Sequence, residues 1–139
     1  MFNARSVVAN LSDFHYTLYN CNYDIVLVTE TWLTEGFTNG LLDPENKYDI
    51  VRHDRLFSVG GRVCIAIRRG LKHVEVCRPT ASNVEMSCID VIYDNSRFRF
   101  IVVYRPPQYG SSAKEYVNKL VESLELLCQV AWPVFTVGD

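Results

Sequence analysis

No apolar run in the 139-residue sequence is long enough to span a bilayer. Its start, Met1-Phe2-Asn3-Ala4-Arg5, has no basic segment leading into an apolar one, so no signal peptide is expected there. No two cysteines show Cys-x-x-Cys spacing, and His15, His53 and His73 are not paired with cysteines at zinc-finger spacing. A structural zinc site is therefore poorly supported. Positive charge is not in excess either: 14 Lys and Arg against 16 Asp and Glu leave a formal net charge of -2. That argues against a strongly basic, non-specific nucleic-acid binder, but not against an enzyme that meets phosphate through a metal. Internal repeats, low-complexity segments and domain linkers are absent.

What is there is a core and the means to solvate it. Hydrophobic residues make up 48% of the chain and charged ones 22%, which suits one domain, or part of one, over residues 1–139. The five cysteines are odd in number, and Cys64 and Cys88 sit inside apolar runs. They read as reduced, buried thiols of an intracellular protein.

Tyr23-Asp24-Ile25-Val26-Leu27-Val28-Thr29-Glu30 is an apolar, β-branched run that ends on a carboxylate, the pattern of a buried strand with a charged tip. Before it, Phe2 closes a clipped strand, and Val7, Leu11, Phe14 and Leu18 recur at helical spacing, with Ser6 or Asn3 as a cap and an end near Asn20. Strand, helix, strand predicts neighbouring strands in one sheet. Further strands are expected at Tyr48–Arg52, Arg62–Arg68 and His73–Cys77, with a turn at Ser58-Val59-Gly60-Gly61 and a connector from Pro79 to Asn83. Met86–Tyr93 and Phe98–Tyr104 read as a hairpin about Asp94-Asn95-Ser96-Arg97, with Arg97 and Arg99 marking a wet face at that end. Pro106-Pro107 stops the ladder, and Gly110-Ser111 leads into a helix that Ser112-Ala113-Lys114-Glu115 would open as a capping box. Tyr116, Leu120, Leu124 and Leu127 form its buried stripe, and Val134–Val137 begins another strand. The fold class is α/β with much antiparallel pairing.

Several of these strands end on polar residues: Asn3, Glu30, Tyr104-Arg105 and Asp139. If the ends share one rim, two carboxylates meet there and repel unless a proton or cation lies between them. Magnesium takes one or two carboxylates together with phosphate oxygens. Arg105 has the fork for a bidentate phosphate contact, and Asn3 and Tyr104 can hydrogen-bond one. Such a set suits phosphodiester hydrolysis by a positioned water. Each residue also has a plainer reading: Glu30 as a solvated strand-end acid, Tyr104 as an interfacial tyrosine, Asp139 as a chain end. His53 and Asp54 resemble a catalytic pair, but adjacent strand residues point to opposite faces.

Asn3-Ala4-Arg5-Ser6, Glu30-Thr31-Trp32-Leu33, Arg52-His53-Asp54-Arg55, Gly60-Gly61-Arg62-Val63, Val103-Tyr104-Arg105-Pro106-Pro107 and Gly138-Asp139 follow one another in this order. As an ordered set spanning nearly the whole chain, they resemble the endonuclease/exonuclease/phosphatase superfamily. Within it they are most similar to the apurinic-type endonuclease domain of non-LTR (LINE-like) retrotransposons. The resemblance implies that Glu30 binds magnesium, with manganese able to substitute, and that Asn3 helps hold metal and phosphate. It implies that Tyr104 contacts the scissile phosphate and that Asp139 orients or deprotonates the attacking water. Arg5 stands where apurinic repair enzymes carry an acid, which disfavours a housekeeping repair role.

The same resemblance implies the first half of a two-sheet α/β sandwich, a mixed, largely antiparallel sheet with flanking helices, truncated at both ends. The family's Ser-Asp-His motif is not in these residues. The expected activity is that of a fragment: a magnesium-dependent DNA-nicking endonuclease in the full parent, with little or none in this piece. In the parent the partners would be a DNA phosphodiester substrate and a reverse transcriptase domain in the same polypeptide, with the nucleus as its location and no membrane. Two other readings stand beside it. One is a non-enzymatic, degenerate or co-opted remnant whose strands Val63–Ile67 and Ile101–Val103 expose apolar faces to a partner or to a second copy. The other is a phosphatase or deadenylase of the same superfamily, which Tyr104-Arg105-Pro106-Pro107 disfavours.

Overall fold

A parallel strand pair opens the molecule. In the computed structural model, which describes residues 1–53, 61–77, 84–107 and 111–139, β1 (Phe2–Asn3) runs parallel to β2 (Ile25–Thr29), as strand–helix–strand predicts. The intervening helix α1 (Leu11–Tyr19) buries Phe14 and Leu18, and ends at Asn20. It begins later than its apolar spacing suggests. Ser6 accepts the Ala9 N–H at 3.2 Å and so caps a turn ahead of the helix. Asn10, at the N-cap position, spends its amide on the Ala4 and Ser6 carbonyls at 2.9 and 3.2 Å.

From β2 the chain passes through the short helix α2 (Asn39–Leu42) to β3 (Tyr48–His53) and β4 (Val63–Arg68), which complete a four-stranded sheet in the order β1-β2-β4-β3. A second four-stranded sheet follows, in the order β5 (Lys72–Glu75), β6 (Glu85–Tyr93), β7 (Ser96–Tyr104), β8 (Val134–Gly138). Helix α3 (Ser111–Cys128) connects β7 to the parallel β8. It is under way by Ser111, so Ser112 lies in its first turn and does not open it, while Glu115 accepts from Lys119 one turn on at 2.7 Å. Asp54, Arg55, the turn at 58–60, the connector at 79–83 and Gly110 lie outside the described residues.

Alternation along the strands builds three cores. In β4, Val63, Ile65 and Ile67 face Ile89, Val91 and Val102 of the second sheet, while Cys64 and Ala66 face α1. Met86, Cys88, Ile101 and Val103 turn outward beneath Tyr116 and Leu127 of α3. The layers are therefore helix, sheet, sheet, helix. The expected part of an α/β two-sheet sandwich, largely antiparallel with flanking helices, is what the chain forms; the expectation of wet inner strands is corrected. Val63–Ile67 and Ile101–Val102 are fully buried, because β6 and β7 belong to a second sheet that covers the first. Continuous apolar runs are what strands covered on both faces require.

The hairpin is confirmed with a tighter turn. Asp94 and Asn95 both have positive φ, 48° and 56°, the two-residue type I′ geometry that suits twisted strands. The wet face is corrected. Arg99 is buried, with Nε 2.7 Å and Nη2 2.9 Å from the two Asp90 oxygens and Nη1 2.7 Å from the Leu127 carbonyl. Arg97 and Arg99 both lie over Trp132, at 4.8 and 5.5 Å from its ring. Alternation reports two faces; here the C-terminal end of α3 and Trp132 cover the polar one. None of the five cysteines is in a disulfide: Cys64 and Cys88 are buried, and Cys21, Cys77 and Cys128 are exposed. Burial pushes the Cys88 thiol up to about 12, against the pull of Arg99. Among the described residues no helix is long and apolar enough to cross a membrane.

Candidate functional site

The C-terminal ends of β1, β2, β7 and β8 meet on one rim. Asn3, the last residue of β1, places its Nδ2 3.1 Å from Oε1 of Glu30 and also in a very short contact with Oδ2 of Asp139. One amide thus joins the first sheet to the second through two carboxylates. Its Oδ1 accepts the Arg5 N–H at 3.1 Å, which folds the chain back at once after β1. Arg5 and Ser6 take positive φ, and the Asn10 amide holds the carbonyls around them.

Glu30 follows the last residue of β2 and has φ 53°. Its carbonyl accepts the Ser6 N–H at 2.8 Å. On the other side, Thr31 and Trp32 donate to the carbonyls of Arg62 and Gly61 at 3.2 and 3.1 Å. The tip of β2 is therefore pinned from two directions, and the half-exposed Glu30 side chain is presented at the rim. Asp139 is fixed through its backbone: its N–H donates to Val103 at 3.2 Å, and its carbonyl accepts the Arg105 N–H at 2.8 Å. Pro106, with no N–H, is where that pairing cannot continue.

Tyr104 is half-buried, its ring packed on the inter-sheet cluster, and its carbonyl accepts the Tyr116 hydroxyl at 2.9 Å. Arg105 is exposed, and the alternation that turns Tyr104 inward sends its side chain the other way. The contacts thus bring together Asn3, Glu30 and Asp139, with Tyr104 and Arg105 on the adjoining strand end. His53 sits at the end of β3 opposite Val63, and its neighbour Asp54 lies outside the described residues. Arg52 of the same motif is a latch: it donates to the carbonyls of Thr34, at 2.8 Å, and Phe37, and to Asn39 at 3.2 Å.

One participant has no signal in local sequence. Glu85, at the start of β6, is 2% exposed and its carboxylate accepts the Arg62 N–H. Gly61 has φ 72°, and a Cβ there would meet that carboxylate, so a side chain at this position would be strained. Glu85 thereby seats the turn that grips Thr31 and Trp32. The Arg62–Glu85 contact spans 23 residues.

Among the described residues no three His, Cys, Asp or Glu side chains cluster as a metal site. The donors at the rim are two carboxylates and an amide, all hard oxygen ligands once the amide presents its Oδ1. Such a set fits magnesium, which completes its shell with water and phosphate oxygens. The amide now lies between two like charges, where a cation would relieve the repulsion more fully.

No protein-family model matches the sequence, and no curated protein matches it. Solved structures do. The 3′ phosphatase NExo from Neisseria, bound to a product DNA hairpin, superimposes with a TM-score of 0.71 at 15% identity over 99% of this chain and 55% of that one. An AP endonuclease from Archaeoglobus fulgidus gives 0.71 at 16% identity, over 99% and 55%. The endonuclease domain of TRAS1, a telomere-specific non-LTR retrotransposon, gives 0.69 at 12% identity, over 99% and 57%. The chain adopts the endonuclease/exonuclease/phosphatase fold and spans little more than half the length of these structures. It carries four strands of each of two sheets and three helices among its described residues.

Proposed function

We propose that this chain is the metal-binding part of a magnesium-dependent endonuclease that nicks target DNA for retrotransposition. The observation that carries the reading is the Asn3 amide held between Glu30 and Asp139 where both sheets end. Glu30 and the Asn3 amide would hold magnesium or manganese, whose charge would offset that of the scissile phosphate. Asp139 accepts a proton from water and aims its oxygen at phosphorus. A new P–O bond forms, the P–O3′ bond breaks, and the departing 3′ oxygen takes up a proton to become a 3′-hydroxyl. Tyr104 would bind an oxygen of the scissile phosphate, while Arg105, whose side chain leaves the strand end on the other side, would reach phosphate only outside that position. The order Glu30-Thr31-Trp32 and Tyr104-Arg105-Pro106-Pro107 supports the retroelement branch. In the parent polypeptide a reverse transcriptase domain would use the exposed 3′-hydroxyl, in the nucleus.

The 139 residues alone should nick DNA little or not at all, because a catalytic set that acts as a unit collapses when members are missing. Manganese binding followed by electron paramagnetic resonance tests the site directly. Uptake should be lost in Glu30→Ala and weakened in Asn3→Ala; uptake indifferent to Glu30 would sink the reading. Robust plasmid nicking abolished by Glu30→Ala would keep the site and reject the low activity.

A phosphatase of the same fold is the second reading, favoured by the phosphatase among the neighbours. The self-associating remnant loses its motive, since the apolar inner faces that suggested it are covered.

A further inference from the structure

We propose that Trp32 is a base-stacking contact for single-stranded or unpaired DNA beside the cut. The inference rests on the rim being a DNA phosphodiester site. Trp32 has φ 53°, a left-handed conformation that bulky residues rarely adopt, and the residue is 38% exposed. Its neighbours Thr31 and Leu33 are fully buried. An indole is normally buried or given a partner. The ring of the other tryptophan, Trp132, is covered by Arg97 and Arg99.

The surroundings over-determine the Trp32 conformation. Thr31 is held through its N–H by the Arg62 carbonyl and through its carbonyl by the Val7 N–H, at 3.2 and 2.9 Å. Trp32 itself donates to Gly61, whose own left-handed turn is seated on the buried Glu85 carboxylate. A buried acid, a left-handed glycine and three backbone bonds thus hold an unfavourable backbone so that an indole faces outward two residues from Glu30. Strain of this kind persists where the surrounding structure enforces it, and it concentrates at ligand sites. Two residues span at most about 7 Å of chain. That is the reach of the nucleotide next to a phosphate held at Glu30. Every base offers a π-face, so such a contact would bind flanking nucleotides with little sequence preference.

The chain holds only two tryptophans, so Trp132→Phe leaves Trp32 as the sole indole reporter. Titration with a labelled single-stranded oligodeoxynucleotide should quench its fluorescence. Trp32→Ala should weaken binding, read by anisotropy, by roughly tenfold, and Trp32→Phe should restore most of it. An abasic oligonucleotide should bind the parent chain and Trp32→Ala alike. Trp32→Gly, which suits the left-handed backbone, serves as a folded variant and should bind as weakly as Trp32→Ala. Unchanged affinity in Trp32→Ala together with unquenched Trp32 emission would overturn the inference while leaving the rim assignment intact. Failure of the parent chain to bind any oligonucleotide would overturn both.

Discussion

At the scale of single residues, the rim depends on an amide standing where charge would be costly. Asn3→Asp replaces the one donor between Glu30 and Asp139 with a third acid. Without divalent ions that variant should lose up to about 1 kcal/mol from like-charge repulsion, since water reaches the exposed acceptors and screens the charges. Magnesium should return much of it, so thermal melting with and without the ion is the measurement. A melting temperature that ignores magnesium in Asn3→Asp would show that the rim does not attract cations. Asp90 offers a second case. Burial pushes its carboxyl up, but the hydrogen bonds and charge of Arg99, helped by Arg97, outweigh burial and hold it below the usual carboxylate range. A carboxyl lowered on folding stabilises the protein above its unfolded value, about pH 4, and loses that contribution as pH falls through the lowered folded value. Asp90→Asn should therefore flatten the acid limb of the stability curve. At neutral pH it should cost about 3–5 kcal/mol, because it strands Arg99 in the interior. Denaturant unfolding across the acid range would show both effects.

At the scale of elements, the clearest case is the β6–β7 turn. Asp94 and Asn95 both occupy left-handed conformations. Asn95→Gly removes the Cβ that such a backbone disfavours and should stabilise the hairpin by about 0.5–1 kcal/mol, read as a higher denaturant midpoint. That hairpin was legible because two strongly patterned runs flank two turn-forming residues. Glu30 and Asp139 were legible for the same reason: an apolar run defines where a strand ends, and the end defines the rim. Other features were not. Arg99 alternates with Phe98 and Phe100, a pattern that marks two faces without saying what covers either. Helix α3 and Trp132 decide it, from 28 and 33 residues away. Glu85 and Gly61 lie in separate segments, and only the folded chain shows that one carboxylate seats the turn behind Glu30. Sequence patterning reports the faces of an element; it is silent on which element arrives to cover them.

For the whole molecule, the site is shared between two sheets. Asn3 and Glu30 belong to the first, Tyr104 and Asp139 to the second, and the Asn3 amide is a direct link between them. What fixes their spacing is the inter-sheet core, where Val63, Ile65 and Ile67 meet Ile89, Val91 and Val102. The outer core between the second sheet and α3, with Tyr116 and Leu127, stabilises the fold without standing between the two halves of the rim. Two truncations of similar chemistry should therefore differ in consequence. Ile65→Ala and Leu127→Ala remove apolar groups that are 0% and 4% exposed, and each should cost about 2–5 kcal/mol. Ile65→Ala opens a cavity between the sheets and lets them shift, so manganese affinity should fall well below that of the parent chain. Leu127→Ala should lose comparable stability yet bind manganese as the parent does, in buffer where both variants remain folded. Equal losses of affinity in the two variants would mean that the rim tracks global stability and not the packing of one sheet on the other.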